Sequence, residues 1–495
     1  MGPTMPSGGL GSVLRPAIPK EAWRRLKCTS GKGAAQGRCG MDRERHIRLA
    51  DERWRHRLGR KGKRRKLPAF SEELETLAAN HDRLMREERG LGYDGDRWRS
   101  PILGLYAPFK AFKRRKGMGP KHIIVPSNFS LTHNADEVLA FFREVAVYAR
   151  TAKTPRLFLD HSRVKQIGLA ADSVLGVLLK EISLENRWRR GAYVRGVKPR
   201  DPAIRKMMDE IGCVRVLMSD VGNDINVSIR SDAKVFRHQS RKHEKTDALT
   251  LDHRGATAKK FADHLNECLS GVKKELTPAG RARLLRYVGE ILDNAQEHSG
   301  LSEWTIVGYI DPRDENLTYR CAVLSFGSTV ADTFRDLSPD SVAMSEVASY
   351  LEIHGQQRWF STSWREEDLI AVMSLQADIS SKQLVDGDRG QGTVEFIEFF
   401  QTVCAECAGL DSSPGMTMLT GGTLIKFDGR YKMRAVGSQD RKVIAFNDAN
   451  SLFQKPDPKA VRALEGNRFP GVIISISIPL LQAVVDKSNG QEDEN

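Results

Sequence analysis

Nowhere in this chain do eighteen apolar residues run together, and no apolar h-region follows Met1. The sequence therefore offers neither a membrane-spanning helix nor a secretory signal, and MGPTMP lacks the Ser/Thr of a myristoylation site. Cysteine is sparse too. Seven cysteines, scattered and odd in number, give no disulfide framework and suit a reducing, cytoplasmic setting. Cys404 and Cys407 form a CxxC with no second pair nearby, a spacing that places two thiols on one buried helix face as readily as it builds a zinc or redox site. No unit of 20–50 residues recurs, which excludes a solenoid.

Charge is present but unevenly spread. The net charge of the 495 residues is +15, yet residues 1–120 hold 29 Lys+Arg against 13 Asp+Glu, and residues 121–495 hold 49 against 50. Residues 1–40 are rich in Gly, Pro, Ser and basic residues and lack a sustained period, as disordered segments do. Helices are expected near residues 41–60 and 71–89, with the run GRKGKRRK at 59–66 between them and a basic cluster at 110–116 interleaved with Phe109 and Phe112. Such an arm can neutralise nucleic-acid phosphates through residues 41–116, or act only as a solvated tether.

From Lys121 the composition turns globular. Strands are expected at 122–131, 155–160 and 192–197, alternating with helices at 135–151, 170–182 and 202–212, which describes a small α/β layer. Residues 219–254 are polar and read as a connecting segment, followed by a helix over 255–272. Strands are expected at 304–311, 318–327, 416–429 and 469–480, and a helix at 366–383.

The segment Leu284–Gly300, LLRYVGEILDNAQEHSG, organises the C-terminal half. Leu284, Leu285, Val288, Ile291, Leu292 and Ala295 have the spacing of a helix packed on a core, with Thr277 and Pro278 as its start and Gly300 as its stop. Glu290, Asn294 and His298 recur every four residues and share a second, polar stripe. A solvated helix face explains such a stripe. A carboxylate and a carboxamide one turn apart also suit a magnesium-bound phosphate, the amide oxygen as metal ligand and the carboxylate as base.

GEILDNAQEHS resembles the N-box of the GHKL ATPases, the superfamily of gyrase, the heat-shock chaperone, MutL and sensor histidine kinases. The resemblance spans about residues 255–482. It implies an α/β sandwich that binds Mg-ATP, with Asn294 as the Mg2+ ligand and Glu290 as general base or water-positioning residue. It places the adenine-binding glycine box at Ser325, Gly327 and Thr329, where Ser325 stands for the family's Asp and Thr329 for its second Gly. Gly390 and Gly392, with the adjoining Thr393, match the second glycine box and open a helix whose N–H groups can meet phosphate. Between the boxes, 331–385 would form a lid, with Lys382 or Arg389 within reach of phosphate. The last strand begins with Gly471 and Val472, where the family has Gly-Thr. No dimerisation helix pair bearing a phosphoacceptor histidine precedes the box, and His298 follows it.

Leu157–Ile182 resembles the STAS domain of anti-sigma-factor antagonists in its strand, its loop and its Asp-Ser-x-x-Leu-Gly helix start. The resemblance covers about 120–215 and puts Ser173 in the place of a phosphorylated serine, although Val174 and Leu175 replace the next Ser and Gly. Asp172 and Ser173 also read as a simple helix cap.

The expected fold class is thus α/β: a basic, partly disordered N-terminal region (1–119), a STAS-like α/β domain (120–218), a connecting segment (219–254), a GHKL (Bergerat-type) α/β sandwich (255–485) and an acidic tail (486–495). The expected activity is that of an ATP-dependent regulatory protein, an ATPase or a serine kinase, working with a protein partner. A non-catalytic nucleotide sensor and a nucleic-acid-bound factor are the alternatives.

Overall fold

The computed structural model describes residues 100–106, 118–186, 192–213, 234–240, 253–270, 274–298, 300–310, 318–338, 341–355, 364–377, 379, 391–407, 414–436, 441–480 and 485–487. All lie within one compact unit, Ala69–Asn495. The helices expected at 41–60 and 71–89, the basic cluster at 110–116 and the acidic tail lie outside the described residues. The chain is mixed α/β, and among the described residues no helix is long and apolar enough to cross a membrane.

The first layer follows helix α1 (Pro101–Tyr106). Its elements are β1 (Lys121–Ile124), β2 (Asn128–Phe129), α2 (Leu131–Thr151), β3 (Arg156–Asp160), β4 (Gln166–Ile167), α3 (Leu169–Asn186), β5 (Tyr193–Val197) and α4 (Pro202–Glu210). Strands β1, β3 and β5 form a parallel sheet in that order. The single strand expected over 122–131 is two short ones, because Pro126 lies between them and has no N–H to pair. Asp201 caps α4 by accepting from the N–H groups of Ala203 (2.8 Å) and Ile204 (3.1 Å), with Pro202 in the first turn.

The second layer contains β6 (Lys234–Gln239), α5 (His253–Ser270), β7 (Lys274–Leu276), α6 (Pro278–His298), β8 (Gly300–Ile310) and β9 (Thr318–Gly327). It continues with α7 (Val330–Arg335), α8 (Val342–Gly355), α9 (Glu366–Met373), α10 (Gln391–Glu406), β10 (Gly415–Gly421), β11 (Thr423–Phe427), β12 (Arg434–Val436) and β13 (Arg441–Val443). It closes with β14 (Val461–Ala463), β15 (Phe469–Pro479) and β16 (Val485–Lys487). Seven of these strands make one antiparallel sheet in the order β14-β11-β10-β15-β9-β8-β6. Strand β6 comes from the segment read as a connection; it is the sheet's edge, and Gly300 opens β8 instead of merely ending a helix.

Both faces of this sheet are buried. On one side Trp304, Ile306, Cys321, Val323, Met418, Ile425 and Ile476 pack with α5, α6, α9 and α10. On the other, Val307, Tyr309, Ala322, Leu324, Phe326, Leu419 and Ile473 share a single core with α2 and α3 of the first layer. Helix α6 buries Tyr287, Val288, Ile291, Leu292 and Ala295 against the first of these faces, as its sequence period predicts. Each of the larger side chains contributes about 1.5–3 kcal/mol on burial. Thr277 caps this helix, its Oγ1 accepting from Gly280 N–H at 3.0 Å.

Helix α9 is shorter than the expected 366–383 for a visible reason. Gln376, 1% exposed, donates to the carbonyls of Val372 (2.6 Å) and Ile444 (3.0 Å) and accepts from Ile444 N–H (3.0 Å). Its side chain ends the helix and ties that end to the segment after β13.

Asp172 lies within α3 rather than at its cap, and its carboxylate accepts from Cys213 N–H at 2.8 Å, joining α3 to the end of α4. Burial raises its pKa to about 6, against the opposing effects of the Cys213 hydrogen bond and the Arg237 guanidinium. Below the unfolded value both states carry the proton; as pH rises from about 4 through 6 only the unfolded state releases it freely, so native stability falls by about 3 kcal/mol. Asp172→Asn removes that loss. Urea unfolding at about pH 4 and pH 7 should show the wild type declining relative to the variant over this interval.

Candidate functional site

The site is built where the end of α6 overlies the sheet. In β9, Tyr319, Cys321 and Val323 point to the helix side and Ala322, Leu324 and Phe326 to the first layer. Side chains alternate along a strand, so Ser325 continues the helix-side row. Ser325 pairs with Trp304 of β8 and Val472 of β15, and Val472 pairs with Thr420 of β10. Trp304 is 1% exposed and its indole N–H donates to Gln296 Oε1 of α6 at 3.3 Å. That bond ties the last turns of α6 to the sheet beside Ser325; Asn294, two residues before Gln296, lies on another side of the helix.

Glu290 and Asn294 are both half-buried on α6. Asn294 makes no side-chain hydrogen bond with the other described residues, whereas Glu290 does not stand alone. Arg286, one turn earlier, bridges to Glu395 of α10 (3.3 Å) and to the Tyr287 hydroxyl (3.4 Å). The Tyr287 hydrogen bond raises the Arg286 pKa, and the carboxylates of Glu395 and Glu290 act in the same direction. Tyr287 also stacks on Phe399 (4.7 Å) and meets Phe396 (6.0 Å). These contacts lay α10 beside α6. Gly392 and the half-buried Thr393 lie in the first turn of α10, one turn or less before Glu395. Gly390, Lys382 and Arg389 lie outside the described residues, as does the side chain of His298.

The end of β9 is shaped by two features. Gly327 has φ 128°, a conformation that suits glycine, and turns the chain from strand to helix. Thr329 then caps α7 in a reciprocal capping box: its Oγ1 accepts from Asp332 N–H (3.2 Å), and Asp332 accepts from Thr329 N–H (3.0 Å). Threonine at the position of the box's second glycine therefore has a structural task here. The Thr-x-x-Asp spacing carried that signal in the sequence, and the short α7 was not read from it.

Sequence reasoning also missed a charged cluster at the same end of the sheet. Asp368, wholly buried, is held by Arg365 (2.8 Å) and by the Thr423 hydroxyl (2.6 Å). Arg365 also donates to the carbonyls of Leu464 (3.1 Å) and Gly422, and pairs with Glu367 (3.0 Å), which pairs in turn with Arg468 (2.7 Å). Spread over a hundred residues of chain, these partners share no local spacing. The network fixes α9 to the β10–β11 hairpin.

The residues fit a magnesium-bound phosphate better than they fit an adenine ring. A carboxamide with no side-chain partner among the described residues, one turn from a carboxylate, is the kind of donor pair that Mg2+ and a phosphate take; the contacts that join α6 to α10 are made two turns earlier, at Arg286 and Tyr287. At the base end, Ser325 is 3% exposed and its hydroxyl donates weakly to the Val472 carbonyl (3.4 Å). It accepts less strongly than a carboxylate, and Val472 beside it adds no polar group. A cavity of about 60 Å³ between α5, α6, α10 and the sheet is lined almost wholly by apolar side chains and is far smaller than a nucleotide requires. Among the described residues no group of three or more His, Cys, Asp or Glu is disposed to hold a metal. Cys404 and Cys407 are free thiols, and burial raises the Cys404 pKa to about 12.

Ser173 stands apart from all of this. It is 1% exposed on α3, across the sheet from Glu290 and Asn294, so a kinase could not reach its hydroxyl without opening the core. Comparison of the chain with family models, with curated proteins and with solved structures returns no match.

Gly471 fastens the central pair of strands. Its φ is 140°, and a Cβ there would meet the Ser325 carbonyl oxygen at 2.1 Å. Gly471→Ala should therefore cost at least about 2–3 kcal/mol in urea unfolding, and the Trp304 emission should shift as the row beside it is displaced.

Proposed function

We propose that the chain is an ATP-binding regulatory protein of the GHKL type, its sandwich backed by a STAS-like layer. The observation that carries this reading is that α6, with Glu290 and Asn294 one turn apart on its polar stripe, packs on the same face of the sheet that the Ser325 row occupies, with α10 alongside. The order of the elements supports it as well: acid-and-amide helix, strand ending in Gly327, glycine-opened helix, and a last strand returning beside the first.

In this reading Asn294 holds Mg2+ through its amide oxygen, and the N–H groups at the start of α10, with Gly390, Gly392 and Thr393, take phosphate oxygens. The metal would neutralise charge on the phosphoryl group. Glu290 orients a water for hydrolysis or accepts a proton from a protein hydroxyl. Gly327 and Ser325 form the base end, where the hydroxyl in place of a carboxylate relaxes selection for adenine. Regulation acts through a protein partner, and Ser173 has no role in it. The basic arm at residues 41–116 adds affinity for nucleic acid in the alternative where the chain is a nucleic-acid-bound factor.

The altered Ser325 and Val472 favour one second reading, a sensor that binds nucleotide without turning it over. Titration with Mg-ATP should raise Tm in the wild type and not in Asn294→Ala. In a turnover assay on the same samples, Glu290→Ala should lose at least about a hundredfold in rate while still binding. Binding without turnover in the wild type would select the sensor; absence of both would remove the nucleotide reading altogether.

A further inference from the structure

Among the described residues, none packs over one face of the first layer's parallel sheet. Helices α2 and α3 bury the other face, where Ile123, Leu157, Leu159 and Val194 point. The alternate residues point outward, and Ile124 and Val197 are 49% and 44% exposed. Parallel sheets are ordinarily covered on both faces, so what this one presents on its second face is informative.

The composition of this face selects the ligand. In register across the three strands lie His122, Phe158 and Arg195, with Arg156 and Tyr193 paired in the adjoining row. The His122 and Phe158 rings are 5.0 Å apart, and the Arg195 guanidinium lies 4.7 Å from the centre of the Tyr193 ring. Arg156 and Arg195 are half-buried, and their Nε atoms, themselves buried, meet no hydrogen-bond partner among the described residues. The face's carboxylate, Asp160, is engaged by Ser162 N–H (2.8 Å) and lies 3.6 Å from His122. In the sequence, five basic residues between Lys110 and Lys116 immediately precede β1. Rings and guanidinium planes on a sheet match unpaired bases on a phosphate backbone, and the basic run lies close before β1 in the sequence.

We propose that the open face of the β1-β3-β5 sheet binds single-stranded nucleic acid, with His122, Phe158 and Tyr193 as stacking platforms and Arg156 and Arg195 contacting bases or phosphates. The site is separate from the α6 site and does not depend on nucleotide binding there.

The test is fluorescence anisotropy of the full chain with labelled oligouridine and oligothymidine of about 12 nucleotides, beside a duplex of equal length, at about 50 and 200 mM salt. Both single strands should bind more tightly than the duplex, and tighter uridine binding would identify RNA through its 2′-OH. Phe158→Ala with Tyr193→Ala should weaken binding by about tenfold or more, and Tyr193→Phe should leave it unchanged. His122→Glu, at a solvent-exposed position, provides the same test without risk to the core. Replacing Lys113, Arg114, Arg115 and Lys116 by Gln should lower the salt dependence while the effect of the ring variants persists. Equal binding by the ring variants and wild type would overturn the proposal, as would equal affinity for duplex. Loss of self-association in the ring variants, with no oligonucleotide bound by wild type, would overturn it in favour of a protein interface.

Discussion

Burial of both faces of one seven-stranded antiparallel sheet is the constraint on which the rest of this structure depends. Adjacent residues of β9 serve different cores: Val323 packs under α6 and Leu324 under the first layer. A slip of one residue would exchange the two sets, so the register is specified from both sides. That double specification carries Ser325, a polar residue at the strand's end, to the helix side without any local signal for its orientation. Strand β15 then enters between β9 and β10, and the close approach at Gly471 joins it to the row carrying Ser325.

The polar groups at the end of this sheet divide into two kinds. Arg365, Asp368, Glu367 and Arg468 are committed to one another, and breaking one partner from the buried Asp368 would leave an uncompensated charge. Such a network spends its hydrogen-bonding capacity on structure. Among the described residues, Asn294 is not consumed in that way. A site needs both kinds: a frame whose polar groups are satisfied, and a few groups left available beside it.

The first layer stands against the reverse of the same sheet. Helix α3 contributes to the core beneath Ala322, Leu324 and Phe326, so the strand that carries Ser325 is packed on one side by α6 and on the other by α3. The layer's own parallel sheet faces away from that contact. The proposed nucleotide site and the open sheet face therefore lie on opposite sides of one continuous packed body. Any coupling between them would pass through side chains that leave no room for gradual deformation.

The sequence by itself determined the elements with strong periods and which side of each element their residues occupy. Helix α6, with its buried stripe and its Glu290–Asn294 pair, follows from residue spacing alone, as do β8, β9 and β15 and the α/β alternation of residues 121–213. These are local properties, fixed by repeats of 3.6 and 2 residues. Only the tertiary structure decided which polar residues meet. The Gln296–Trp304 bond, the Arg286–Glu395 bridge and the Arg365–Asp368–Thr423 cluster join residues with no common period, and strand β6 gained its role by pairing rather than by pattern. The burial of Ser173 was likewise settled by what packs over it. Spacing governs which side of an element a residue occupies; what lies opposite is governed by packing between segments distant in the chain.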